Sequence, residues 1–283
     1  YAETYAANHP HATVFNSSVE EVSWEALKRF RPLGLMTMGI PCEPYSVIRR
    51  LDRGGQVKRD KALPPEAHEL GDMFFWGLRA IEACNPHTVI IEEVPPFLTS
   101  AAGFVTIQVL KRFGYNVEGK IIDPSTFGEI TGRKRTVIIA TMGDIHWPGL
   151  STCDFKLGDI LDPEPLEWFN RVSKPWVFNH WETQTAKGNG FAPPILTAQD
   201  SKVPTIKKRY FAGQGDNPVV GHPTIPGNCR WLTINEVKRI QGLPQEFILP
   251  ASKTTAREIM GQGVVVSLFR KIIKAATGCA PAF

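Results

Sequence analysis

No apolar run in the sequence reaches bilayer-spanning length, and no secretory pattern is visible, so the expected location is the cytoplasm. Cysteine is scarce. The five residues, Cys42, Cys84, Cys153, Cys229 and Cys279, are scattered and odd in number. With no Cys-x-x-Cys pair and no Cys/His cluster, neither a zinc site nor a disulfide framework is expected, and the thiols read as reduced. A strong charge of one sign is also lacking. Lys plus Arg number 32 against 28 Asp plus Glu, a net charge of +4. That permits a nucleic-acid partner without demanding one. Internal repeats and low-complexity tracts are missing too. What remains is a chain of 283 residues, 42% hydrophobic and 21% charged, suited to a globular protein with a sizeable core.

One octet stands out: Gly39, Ile40, Pro41, Cys42, Glu43, Pro44, Tyr45 and Ser46. It follows an apolar run from Leu33 that reads as a buried strand. Two prolines bracket one cysteine, which makes a stiff turn rather than a helix start. Cys42 is therefore presented at the carboxyl end of a strand, where open α/β sheets place their chemistry. A buried structural cysteine is the plain alternative for a lone thiol.

The rest of the chain alternates. Tyr1 to Asn8 reads as a helix, Ala12 to Phe15 as a short strand, and Leu33 to Ile40 as the strand before the cysteine. Pro64 to Ala83 reads as a helix with Leu70, Phe74, Leu78 and Ile81 on one stripe. Thr88 to Val94 reads as a second buried strand, Ala101 to Phe113 as a helix closed by Gly114, and Tyr115 to Ile122 and Thr136 to Met142 as further strands. Such alternation predicts α/β layers over a mostly parallel sheet. From residue 144 to 229 proline, glycine and tryptophan replace long helical periodicity, which predicts a smaller, irregular, strand-rich domain. Thr233 to Glu236 is a capping box opening a helix through Gln241, and Val264 to Thr277 is a closing helix. The charged run from Arg49 to Lys61 reads either as a solvated loop or as a lid for DNA phosphates hinged at Gly54-Gly55. The basic and aromatic stretch from Lys202 to Phe211 suits nucleic-acid contact or an exposed basic strand.

Six stretches together resemble the cytosine-5 DNA methyltransferases of bacterial and phage type. The octet around Cys42 resembles their Pro-Cys loop. Ile91 to Val94 resembles a Glu-Asn-Val motif, with Glu93 in the Asn position. Gly132 to Arg135 resembles Gln-x-Arg-x-Arg, with Thr131 replacing the Gln. Leu232 to Val237, with Gln241 to Pro244, resembles Leu-Thr-x-x-Glu followed by Gln-Gly-Phe-Pro. Gly261 to Val264 resembles Gly-Asn-Ser-Val, and Tyr5, Asn8 and His9 resemble a Tyr-x-x-Asn-His helix. They occur in family order across nearly the whole chain.

The resemblance implies a Rossmann-like S-adenosylmethionine-dependent methyltransferase domain from 1–143 and 256–283, with a target-recognition domain at 144–255. It implies methyl transfer from S-adenosylmethionine to carbon 5 of cytosine in duplex DNA, as in restriction-modification. A thiolate adding to carbon 6 makes the ring a nucleophile, which needs a soft, readily ionised side chain. Cys42 holds that position. Glu92 would hydrogen-bond ring nitrogen 3. Arg133 and Arg135 alternate along a strand and suit the cytosine carbonyl and a phosphate. The target base must leave the stack to reach such a site. Ser18 stands where the family has an adenine-binding Asp, and Pro41, Gln262 and Val264 fall on further cofactor positions. Ser46, Arg53, Thr205 and Arg209 are the expected DNA contacts, Thr205-Ile206 lying near the flipped base. Alternation along the strand leaves Glu93 free to point away from Glu92, and Glu43 next to the cysteine disfavours a thiolate. The family's glycine-rich first motif is not seen, nor is the acid that holds the ribose. A preceding segment or a complementing chain is expected to complete the cofactor site, and a monomer otherwise. An RNA cytosine methyltransferase and a catalytically impaired DNA-binding homologue remain alternatives.

Overall fold

The computed structural model describes residues 1–46, 64–163, 167–188, 195–207, 210 and 217–279. They form two compact units. Unit 1 comprises Tyr1–Phe15, Pro124–Arg133 and Gly149–Arg270, and unit 2 comprises Asn16–Asp123, Lys134–Pro148 and Lys271–Phe283.

Unit 2 is built on a four-stranded sheet. Its strands are β1 (Leu33–Gly39), β2 (Pro86–Glu93), β3 (Asn116–Ile122) and β4 (Arg135–Thr141), in the spatial order β1-β2-β4-β3. β1 and β2 pair in parallel, while β4 pairs antiparallel with both β2 and β3. Three strands therefore share one direction and β4 alone is reversed. The expected mostly parallel sheet holds for strand direction, whereas only the β1–β2 pairing is itself parallel. The reason lies in the connection. Parallel neighbours need a crossover, usually helical. Residues 123–134 between β3 and β4 hold only a short 3-10 turn at Pro124–Thr126, so β4 returns antiparallel.

The central strands β2 and β4 are buried almost end to end, for example Val89, Ile90, Ile91, Val137, Ile138 and Ile139. Each such side chain contributes roughly 1.5–3 kcal/mol by leaving water. Two helices follow the pattern of an α/β layer: α3 (Met73–Cys84) leads into β2, and α4 (Ala101–Arg112) leads into β3. α3 lies so close to β1 that a Cβ on Gly77 would come within 2.1 Å of Met38 Cε. α4 starts where the Ser100 hydroxyl accepts the Gly103 N–H at 3.0 Å. It ends before Gly114, whose φ of +93° suits the residue that stops it.

Unit 1 holds α1 (Ala2–Asn8), α5 (Pro175–Ala186), α6 (Ile234–Ile240) and α7 (Lys253–Gln262), with a small sheet of β5 (Ile195–Leu196), β6 (Val219–Gly221) and β7 (Cys229–Arg230). α2 (Trp24–Lys28) belongs to unit 2, and α8 (Val266–Thr277) runs from one unit into the other. The unit 1 core gathers Ile130, Leu157, Val203, Ile206, Tyr210 and Val237 among others.

Four expectations need correction. Ala12 to Phe15 forms no strand; it belongs to unit 1, whose sheet residues begin at 195, and a strand exists only where its backbone groups find a neighbour. The helix expected from Pro64 begins at Met73, after a 3-10 turn at Pro65–Ala67, so Leu70 lies outside it. The stretch from 144 to 229, expected to be irregular and strand-rich, contains the twelve residues of α5, which open on Pro175 and bury Val177 and Trp181 one turn apart. α7, a ten-residue helix, was not anticipated. The whole of the expected lid, from Arg49 to Lys61 and including Arg53, Gly54 and Gly55, lies outside the described residues. Among the described residues, no helix is long and apolar enough to cross a membrane.

Candidate active site

The turn after β1 is fixed from within. The Cys42 carbonyl accepts the N–H groups of Tyr45 at 3.1 Å and Ser46 at 2.9 Å. Tyr45 is buried, its hydroxyl donates to the Gly71 carbonyl at 3.0 Å, and its ring meets Phe97 edge-on at 4.9 Å. The prolines restrict the backbone and Tyr45 anchors it, so Cys42 is held half-buried beside the exposed Glu43. Pro41 and Ser46, half-buried, flank it.

Strand register brings the next group in. Gly39 at the end of β1 pairs with Glu92, and Glu92 faces Val137 across β4. Arg135 begins β4, and its Nε meets Glu92 Oε1 at 2.7 Å. Arg135 Nη1 also donates to the Lys134 carbonyl at 2.8 Å, which fixes the plane of the guanidinium. Three sequence-distant stretches thus meet at one end of the sheet. Acidic side chains outnumber basic ones there, with Glu43, Glu92 and Glu93 around Arg135. Burial pushes the Cys42 thiol above its usual range, Glu43, Glu93 and Glu92 push it further, and Arg135 opposes them. Glu93 also acts on this cluster. β2 is covered on both faces, so the residue turned away from Glu92 is buried as well, at 1% exposure. Burial pushes its carboxyl up to about 8, Glu92 and Glu43 adding to the effect while the Val94 N–H and Arg135 oppose it.

The remaining candidates divide between the units. Ser18, exposed, stands before the 3-10 turn Val19–Glu21 in unit 2. Arg133 belongs to unit 1, two residues from Arg135 but in the other compact unit. It is buried, and its Nη1 donates to the Ile206 carbonyl at 3.0 Å. Thr205 is half-buried, while Val203 and Ile206 lie in the unit 1 core, so the segment over 203–207 is partly buried rather than an exposed strand. Gln262 is exposed at the end of α7, and Val264 is half-buried in the link to α8. Arg209 lies outside the described residues.

A model of the C-5 cytosine-specific DNA methylase family matches residues 1–277. The chain belongs to that family. It is 26% identical over 279 residues to the type II methyltransferase M.NlaX of Neisseria lactamica, covering 95% of this chain and 83% of that protein. It is 26% identical to M.DsaV of Dactylococcopsis salina over 84% of this chain and 67% of that one. The crystal structure of S. pombe Dnmt2 methyltransferase superposes with a TM-score of 0.71 at 19% identity, covering 96% of this chain and 87% of that one. The protein is accordingly an S-adenosylmethionine-dependent enzyme that methylates carbon 5 of cytosine in DNA.

After Ser18 in the chain, Val19, Val22, Trp24, Leu27, Trp76 and Arg79 line a shallow hollow in unit 2, in which the Arg79 guanidinium lies over both tryptophan rings, at 5.8 Å from Trp24 and 5.0 Å from Trp76. Sequence reasoning passed over this lining because Trp24 and Trp76 are 52 positions apart and neither lies in a motif. It also passed over Glu93 as a member of the cysteine cluster. The signal available for Glu93 was the continuous apolar run before it, which marks a strand covered on both faces.

Proposed function

We propose that Cys42 is the nucleophile that adds to carbon 6 of a flipped cytosine in duplex DNA. What carries the reading is the placement of Cys42 on a clamped turn at the same sheet end as the Glu92–Arg135 pair. Cys42 loses its thiol proton and forms the S–C6 bond. Glu92, anchored by Arg135, shares a proton with ring nitrogen 3, which receives the charge displaced from the C5–C6 double bond as the sulfur adds, and Arg135 faces the ring carbonyl. S-adenosylmethionine, when bound, supplies an electrophilic methyl group. Ser18, Pro41, Gln262 and Val264 are the residues assigned to hold it. Ser46, Arg53, Thr205 and Arg209 are assigned to DNA, and Arg133 supports the Thr205-Ile206 segment through its bond to Ile206. In functional terms residues 1–143 and 256–283 serve catalysis and cofactor, and 144–255 serve target recognition. The proposed setting is a bacterial or phage-infected cytoplasm, in keeping with five unpaired cysteines, and the proposed working form is a monomer.

The test follows labelled methyl from S-adenosylmethionine into mixed-sequence duplex DNA, with the full-length gene product beside Cys42→Ala. Label on cytosine that disappears in Cys42→Ala is the expected result. Label on RNA but not on duplex DNA would move the substrate to RNA. DNA binding without transfer, with the cofactor shown to bind, would overturn the catalytic assignment.

A further inference from the structure

Glu93 is the buried acid of the cysteine cluster, and its charge has no direct answer. It closes β2, opposite Thr136 of β4. One carboxyl oxygen, Oε2, accepts the N–H of the next residue, Val94. The other, Oε1, is buried and has no hydrogen-bond partner among the described residues. The groups acting on it are Glu92 on its own strand, Arg135 on β4 and Glu43 on the turn after β1, with Cys42 on that same turn. Arg135 is already bonded to Glu92 at 2.7 Å. A buried carboxylate without a partner costs several kcal/mol, which retention of its proton avoids. A protonated carboxyl then offers one donor and one acceptor, the same inventory as a side-chain amide.

We propose that Glu93 is a positioning residue of the methyl-transfer reaction: held as a neutral carboxylic acid at the end of β2, it keeps the charge around the Pro-Cys turn low enough for Cys42 to ionise. The inference rests on Cys42 being the nucleophile. Glu93 neither gives nor takes a proton in the cycle. The thiolate and the Glu93 carboxylate disfavour one another, so the pair loses its protons in two linked steps rather than independently. Below the point where Glu93 ionises, Cys42 has two acidic neighbours, Glu43 and the arginine-bonded Glu92. Above it, a third negative charge, buried and therefore poorly screened, opposes the thiolate.

The test uses the full-length protein without DNA or cofactor. The rate of Cys42 alkylation by iodoacetamide is followed against pH at the Cys42 peptide, in wild type and in Glu93→Gln, which is neutral at every pH. Expected is a titration curve moved to lower pH in Glu93→Gln, with alkylation several-fold faster at pH 9. Infrared spectra give a second reading. A protonated carboxyl band present at pH 7 in wild type, lost near pH 8 and missing from Glu93→Gln, is expected. Superposable alkylation curves, or no such band at pH 7, would overturn the proposal. A shifted curve in a protein that transfers no methyl group would leave the charge coupling and remove the reaction it serves, and so would overturn the assigned role.

Discussion

Arg135 and Glu92 in unit 2 meet at 2.7 Å with 16% and 15% of their side chains exposed, and Arg230 and Glu236 in unit 1 meet at the same distance with 4% and 0% exposed. Chemistry and spacing are alike, but the surroundings are not. Glu236 receives both Nη atoms of Arg230, at 2.7 and 2.8 Å, and the N–H groups of Asp162 and Thr233, each at 2.8 Å. It is also the last member of the α6 capping box, so the pair ties β7, α6 and the Asp162 segment together. Glu92 meets Arg135 Nε at a strand end beside a half-buried thiol. One arrangement answers a buried carboxylate with four hydrogen bonds and is structural. The other leaves an acid and a base where a substrate can reach them.

Four measurements would break or sharpen that contrast. The largest effect on stability belongs to the unit 1 pair. Arg230→Met leaves Glu236 buried without its partner and should cost about 3–5 kcal/mol in urea unfolding. An unchanged midpoint would mean that burial does not separate the two pairs. Next comes Glu93→Gln. The folded carboxyl keeps its proton to about pH 8, whereas an unfolded Glu loses it near its ordinary value of 4.5. The native state therefore binds more protons in that window, and wild-type stability falls as pH rises through it. Glu93→Gln should gain on wild type with a slope of at most ~1.4 kcal/mol per pH unit across the window, flattening above it. A pH-independent difference between the two proteins would be against the buried acid. Arg135→Met follows, with a stability loss of about 1 kcal/mol or less but a fall in methyl transfer of about a hundredfold. A large loss of stability with little loss of activity would reverse the roles given to the two pairs. Arg171 and Glu182 form a third pair, wholly exposed in unit 1, and Arg171→Ala should leave the unfolding midpoint unchanged within error.

Much of the fold was legible in the sequence because its signals are local. β1 and β2 appear as apolar runs, α4 as a helix ended by Gly114, and α6 as the Thr233–Glu236 box whose two reciprocal bonds the structure contains. The octet announced a stiff turn, and the structure places Cys42 on one. Less local features were missed. The late start of α3 escaped because two prolines suit a first helical turn equally well as a 3-10 turn. α5 escaped because its buried face holds only Val177 and Trp181, too few to stand out in a proline-rich stretch. The reversal of β4 depends on what lies between residues 123 and 134, not on β4's own composition.

By itself the sequence determined which segments can be strands or helices, where the backbone must turn, and which ordered motifs the chain carries, since propensity, proline geometry and periodicity act over a few residues. Only the tertiary structure decided that Arg133 and Arg135 belong to different compact units, that Glu93 is buried within reach of Cys42's charge, and that one Arg–Glu pair is sealed while another stays accessible. Those outcomes depend on burial and on the position of distant charges. Both are set by how strands align and which faces are covered, and neither can be read from the spacing of residues along the chain.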